Sequence, residues 1–259
     1  MPFPNKGENH FIGIKNEKDI VNYLNNSPDN SITKHLSEIH GSKIRQFEHQ
    51  GGTKQKMDAS YELENGKIKG LSFKNHKQGT FDWINTTKGV QEDLKSEIIK
   101  FKQNNWKTPI PKKGGIRDDL DNILSNYLDK LTHEDISKLL SKVKGTEENT
   151  LNIIINETKK KRLTLIPESN LDPYCNPTHH HKFILKSTRA RTSRQIWIKN
   201  MDGSEINTNM RIRLHLNNGI QALLGCSLNN KSSVPCLKIQ QDNVDTFIEK
   251  CFGKVSINY

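Results

Sequence analysis

The stretch Met57-Asp58-Ala59-Ser60-Tyr61-Glu62-Leu63-Glu64-Asn65-Gly66-Lys67-Ile68-Lys69-Gly70-Leu71-Ser72-Phe73-Lys74-Asn75-His76 decides how this chain is read. Two strand-like segments flank Asn65-Gly66, a dipeptide suited to tight turns, so a β-hairpin is predicted from Met57 to His76. The length of its loop sets which side chains share a face. A two-residue loop, Asn65-Gly66, would pair Asp58 with Phe73 and turn Ser72 and Lys74 away from Asp58, because a slip of one residue reverses every side chain. A three-residue loop, Glu64-Asn65-Gly66, with Gly66 in the left-handed region as a bulge, pairs Asp58 with Ser72 and turns Lys74 to the same side. The Asn-Gly-Lys sequence suits the second arrangement, and that register is predicted.

Upstream of the hairpin, Asn16-Glu17-Lys18-Asp19 leads into Ile20, Val21, Tyr23 and Leu24 and reads as a helix start with an Asn cap. Ser31 to His40 reads as a second helix and Lys43 to His49 as a strand. Downstream, three helices are predicted from apolar residues at helical spacing: Val90, Leu94, Ile98 and Phe101; Leu120, Ile123 and Tyr127; Ile136, Leu139, Leu140 and Val143. Thr132 and Asp135 resemble a capping box for the last of these. Thr108 to Gly115, rich in Pro, Lys and Gly, cannot continue a helix and reads as a linker or loop. Beyond Lys160 the chain becomes strand-rich, with strands expected at Phe183 to Leu185, Gln195 to Ile198, Met210 to Leu216 and Ile220 to Leu224, and a final helix from Asp242 to Cys251. The expected fold is α/β (α+β), a central mixed sheet flanked by helices. Residues 1–160 would form a core with a helical insertion, and 161–259 a basic, β-rich region packed on it.

Lys and Arg total 40 against 29 Asp and Glu, a formal net charge of +11, with a pI near 9.4. Such a balance favours a polyanionic partner over an acidic small molecule. Arg211, Arg213 and His215 alternate with Ile212, Leu214 and Leu216, so a strand here sets a basic row against an apolar one. Lys186, Arg189, Arg191 and Arg194 lie just upstream, and this density suits phosphate contacts. Arg191, Arg194, Asn229 and Gln240 are also of the types that read base edges. The competing reading of these side chains is an ordinary solvated surface. No apolar run is long enough to span a bilayer, and Met1 to Asn5 lacks the pattern of a secretory signal, so an intracellular protein without membrane contact is expected. The four cysteines contain no Cys-x-x-Cys pair, which argues against a disulfide framework or zinc ribbon.

An acid at the start of one hairpin strand, Asp58, and a lysine on the next, in Ser72-Phe73-Lys74, resemble the PD-(D/E)XK nuclease superfamily, type II restriction endonucleases in particular. The resemblance runs from about Glu17 to Trp106, including the Gly51-Gly52-Thr53-Lys54-Gln55-Lys56 approach and the Gly79-Thr80-Phe81-Asp82 sequence after the lysine. It implies a Mg²⁺-dependent endonuclease, with Mn²⁺ as a substitute, acting on double-stranded DNA as a homodimer and needing no small-molecule cofactor beyond the metal. Asp58, Ser72 and Lys74 match the motif. Met57 stands where the family has proline, and Ser72 stands where it has a second acid and so removes one metal ligand. Glu17 on the first helix is the leading replacement, giving Asp58 and Glu17 as metal ligands, with Glu48, Glu62 and Glu92 as further donors. Lys74 would orient water or stabilise the pentavalent phosphate. Lys54, Lys56, His76, Arg189, Arg191, Arg194, Arg211 and Arg213 are the expected DNA contacts.

Two alternatives stand beside this reading. One is a non-catalytic DNA-binding protein derived from a nuclease fold. The other is a ββα-metal nuclease using His179, His180 and His181; the same histidines with Cys175 are alternatively of the types that bind zinc.

Overall fold

A computed structural model of the chain describes residues 6–50, 57–76, 79–86, 90, 92–106, 108, 115–144, 151–172, 181–216 and 234–259. The chain folds as two units, each assembled from separated segments: Met1–Gly79 with Lys144–Asp172 and Val244–Tyr259, and Thr80–Val143 with Pro173–Asn243. The boundary expected at 160/161 falls inside the first unit. There Glu157 and Arg162 pair across a hairpin, so the chain cannot be parted at that point. Among the described residues the fold is mixed α/β with six α-helices and two sheets. None of those helices is long and apolar enough to cross a membrane.

The first unit opens with α1 (Lys6–Asn26) and α2 (Ser31–His40). α1 begins ten residues before the Asn16 start read from the sequence, so Asn16 lies inside the helix and caps nothing. The Asn30 side chain caps α2 by accepting from Thr33 N at 2.9 Å, and Gly41, at φ 57°, closes its C-terminus. The six-stranded sheet runs in the order β1 (Ile44–His49), β2 (Ala59–Leu63), β3 (Ile68–Asn75), β5 (Leu151–Glu157), β6 (Arg162–Ile166) and β11 (Val255–Asn258). β3 and β5 are parallel, and every other pairing is antiparallel. Because side chains alternate along a strand, Phe47, Ala59, Tyr61, Leu71, Phe73 and Ile154 fall on one face. There they form a buried cluster with Ile20, Val21 and Leu24 of α1 and Ile32 and Leu36 of α2. Gln50, Asp58, Ser60, Ser72 and Lys74 have the opposite parity.

The second unit holds β4 (Phe81–Thr86), α3 (Glu92–Asn104), α4 (Ile116–Asp129), α5 (His133–Lys144), β7 (His181–Ser187), β8 (Ser193–Asn200), β9 (Glu205–Leu216) and β10 (Pro235–Gln241). The three predicted helices are present, and the box ahead of α5 is reciprocal. Asp135 N donates to Thr132 Oγ1 at 3.2 Å, and Thr132 N donates to Asp135 Oδ2 at 3.0 Å. The strands form an antiparallel sheet ordered β4-β10-β9-β8-β7. α3 lies against β10, and α4 against β8 and β9. The last helix, α6 (Val244–Lys250), returns the chain to the first unit and buries Val244, Phe247 and Ile248. The expected strand at Ile220 to Leu224 lies outside the described residues.

Candidate active site

The site begins with a turn. Gly66 sits at φ 79°, its N–H donates to Leu63 O at 2.8 Å, and Leu63 N donates to Lys67 O at 2.9 Å, which leaves Glu64, Asn65 and Gly66 as a three-residue loop. From this closure the strands pair Ala59 with Leu71, Ser60 with Gly70 and Tyr61 with Lys69. Asp58 therefore stands opposite Ser72. Its Oδ2 accepts Ser72 Oγ at 3.0 Å and Phe73 N at 2.6 Å, so the carboxylate completes the ladder where the strand backbone bends away. Lys74, two residues beyond Ser72, shares that face and is half-buried.

Neighbouring strands complete the surroundings. Gln50 N donates to Asp58 O at 3.1 Å, and the Gln50 amide donates to Ser60 Oγ at 2.7 Å, which places Gln50 beside Asp58. Glu48 pairs with Ser60 and so lies diagonally from Asp58 on the same face. On the other side of β3, the parallel strand sets buried Ile153 beside Ser72 and buried Ile155 beside Lys74. An apolar wall of this kind strengthens charge interactions next to it by keeping water away.

Glu17 is placed differently. Its Oε2 is 3.0 Å from His49 Nε2, and His49 has the parity of Phe47, on the face that α1 and α2 cover. The reason is helical packing: Ile20, Val21 and Leu24 turn α1 onto the apolar rows, and Glu17 follows them. The structure thus brings Asp58, Ser72 and Lys74 to one face and takes Glu17 to a histidine on the other. Of the remaining donors, Glu62 is occupied by Arg45 at 3.0 Å, and Glu92, in the second unit, by Lys95 at 2.5 Å.

Comparison with protein-family models, with curated proteins and with solved structures gave no match.

A second group lies further along the same strands. His76, Glu157 and Asp245 each offer a ligand atom, all within 4.8 Å of one another, and could hold a metal ion. Their donors are already engaged. Glu157 accepts Arg162 at 2.6 and 2.7 Å, Lys160 at 3.0 Å and Thr164 at 2.9 Å. Asp245 accepts Lys160 at 2.6 Å, and His76 Nε2 accepts Gly79 N at 2.9 Å. Burial pushes the Glu157 carboxyl up, but the hydrogen bonds from Arg162, Lys160 and Thr164 outweigh it and hold the group at about 2. An ion here would have to displace two cationic side chains.

On the helix-covered side of the first unit, a cavity of about 390 Å³ is lined by His40, Tyr61, Lys69, Asn152 and Glu168 among others. Asn152 donates to the Tyr61 hydroxyl at 3.1 Å, and that hydroxyl is 2.7 Å from His40 Nε2. Burial raises the Tyr61 pKa and lowers that of His40. The cavity is not at Asp58, since Tyr61 has the opposite parity.

Among the expected DNA contacts, Lys54 and Lys56 lie outside the described residues, as do Cys175, His179 and His180. Arg189 is exposed, and Arg191 pairs with Asp118 at 3.1 Å. Arg194 is a structural residue, 5% exposed, and its guanidinium reaches Asp129 at 2.7 and 2.8 Å and Ser125 Oγ at 2.7 Å. Its parity on β8 turns it under α4, a placement that charge density could not indicate. Arg211 and Arg213 have the predicted parity, with Ile212, Leu214 and Leu216 buried between them. Sequence reading passed over Trp197, Lys182 and Lys199. Alternation along Gln195-Ile196-Trp197-Ile198-Lys199 carries the signal for two of them.

Proposed function

We propose that this chain is a Mg²⁺-dependent endonuclease that hydrolyses phosphodiester bonds in double-stranded DNA, in the manner of a type II restriction endonuclease of the PD-(D/E)XK kind. The observation that carries the proposal is the hairpin register, which sets Asp58 against Ser72 and turns Lys74 to the same face. A DNA substrate implies an intracellular site of action, and recognition of a short palindrome would call for a homodimer.

The side chains suit a hard divalent cation. Asp58 Oδ2 is fixed by Ser72 and Phe73 N, and among the described residues Oδ1 accepts no hydrogen bond. Glu48 and the Gln50 amide oxygen add oxygen donors on that face. One or two carboxylates with water and substrate phosphate are the usual Mg²⁺ shell, and Mn²⁺ accepts the same donors. When bound, the ion polarises the phosphate and lowers the pKa of water. Ser72 positions the carboxylate, and Lys74, beside the Ile155 wall, neutralises charge that develops on the phosphate.

The test is incubation of fresh protein with supercoiled plasmid and Mg²⁺ or Mn²⁺. Nicked and linear DNA are expected, with Asp58→Asn and Lys74→Ala each slower by about 10²–10³-fold. A non-catalytic DNA-binding protein is the second reading. It is favoured by the fact that Asp58 already has a structural partner in Phe73 N. Duplex binding without cleavage in either metal would establish it.

A further inference from the structure

We propose that the outer face of the five-stranded sheet in the second unit binds single-stranded nucleic acid. Strand pairing aligns polar side chains into rows across the sheet. Lys186, Gln195, Arg211, Gln240 and Asp82 occupy consecutive paired positions on all five strands. Next to them run Ser193, Arg213, Lys238 and Asn85. The reverse face carries the apolar rows, including Ile196, Ile212, Leu214 and Ile239, each buried.

The charges on this face are out of balance. Lys182 lies directly opposite Lys199, and Arg213 opposite Lys238. Like charges placed so are destabilising. The acids nearby do not relieve every cation. Asp82 takes Lys238 at 2.6 Å, Asp242 takes Arg211 at 3.2 Å, and Glu205, opposite Lys199, gives its carboxylate to Lys186. Among the described residues Lys182, Lys199 and Arg213, all exposed, are left without an ion pair. The second unit also has twenty-one Lys or Arg against thirteen Asp or Glu, so it carries eight of the eleven net positive charges of the chain. A polyanion laid over the face removes the repulsion that the paired cations impose on each other.

Shape selects the strand form. Five strands span about 19 Å, too broad for a major groove about 12 Å wide. A single strand can instead lie along the rows with its bases turned to the sheet, where Gln195, Gln240 and Asn85 offer amides. Trp197 supplies the aromatic surface. It is half-buried on this face, with the Lys186 ammonium 3.9 Å from its ring centroid, and an incoming base takes the place of that ammonium. The inference rests on neither Asp58 nor a metal.

The test uses the full chain in a chelator, so that no cleavage occurs. Fluorescence anisotropy is read with a labelled oligothymidine of about twenty nucleotides, longer than the roughly 4–16 nucleotides of one single-strand site, and with a duplex of equal length. The single strand should bind about tenfold more tightly than the duplex, and Trp197→Ala should weaken it about tenfold. Lys182→Gln, Lys199→Gln and Arg213→Gln together should reduce the salt slope by roughly two, about 0.7 for each phosphate no longer neutralised. Photo-crosslinking of an iodouracil strand to wild-type protein should label β8 or β9, a readout that needs no variant to fold. Unchanged single-strand affinity in Trp197→Ala, unchanged affinity in the folded triple variant, or crosslinks confined to the first unit would each overturn the proposal. No arm of this experiment uses a metal or reads cleavage, so a failure of the hydrolytic reading is scored separately, in the plasmid assay.

Discussion

Asp58 Oδ2 receives both the Ser72 hydroxyl at 3.0 Å and the Phe73 N–H at 2.6 Å, so one carboxylate oxygen ties the two strands of the hairpin together. Asp58→Ala leaves Phe73 N–H without its acceptor and is expected to cost about 1–3 kcal/mol in a urea melt, against about 0.5–1.5 kcal/mol for Ser72→Ala. Asp58→Asn retains an acceptor oxygen and should keep most of that stability. If the asparagine protein is as unstable as the alanine protein, the hydrogen bond is not what holds the bend.

The second carboxylate of the proposed site is decided by the sheet face. Glu48 shares a face with Asp58, whereas Glu17 is tied to His49 on the other. Glu48→Ala should slow plasmid cleavage by about a hundredfold and raise the Mg²⁺ concentration needed for half-maximal rate. Glu17→Ala should lower the melting temperature more than the rate. The reverse pattern, read from a magnesium titration of both variants, would return the role to Glu17.

Acid stability should report on Glu157. Its carboxyl has an ordinary value of 4.5 and is held at about 2 in the folded protein, so between those values the folded chain binds fewer protons than the unfolded one. The contribution is therefore complete above pH 4.5 and is lost as the pH falls toward 2. Thermal melts across that window should show a steep fall for the wild type and a shallower one for Glu157→Gln. Arg162→Ala should be strongly destabilising at neutral pH, by about 3–5 kcal/mol, because it strips a buried carboxylate of its bidentate partner.

Arg194 should behave as a stability residue. Arg194→Ala removes its bonds to the Asp129 carboxylate, to the Ser125 hydroxyl and carbonyl and to the carbonyls of Arg191 and Ser193, at an expected cost of about 1.5–3 kcal/mol. Asp129 is largely solvated and does not become a buried orphan. Well below the melting temperature, DNA affinity should match the wild type. A large loss of affinity in the folded variant would place Arg194 in the nucleic-acid surface after all.

Much of this structure is written in short segments. The bulged closure at Glu64, Asn65 and Gly66 follows from local backbone preferences, and with it the register that seats Asp58 against Ser72. The capping box at Thr132 and Asp135 and the basic parity of Arg211 and Arg213 are legible for the same reason. Each depends on residues a few positions apart. Strands β4, β5, β6, β10 and β11 were not read from the sequence, although Ile153-Ile154-Ile155, in a strand buried along its whole length, carries the mark of one covered on both faces.

What the sequence by itself determined, then, is the hairpin: Asn65-Gly66 admits a two- or a three-residue closure, and the Asn-Gly-Lys sequence suits the three-residue one that forms. Only the tertiary structure decided what surrounds it. The parallel partner of Lys74 arrives some eighty residues later, and the choice of face for Glu17 and Arg194 depends on where α1 and α4 bury their apolar sides. Such placements are set by packing between distant segments, whose closure no local pattern encodes.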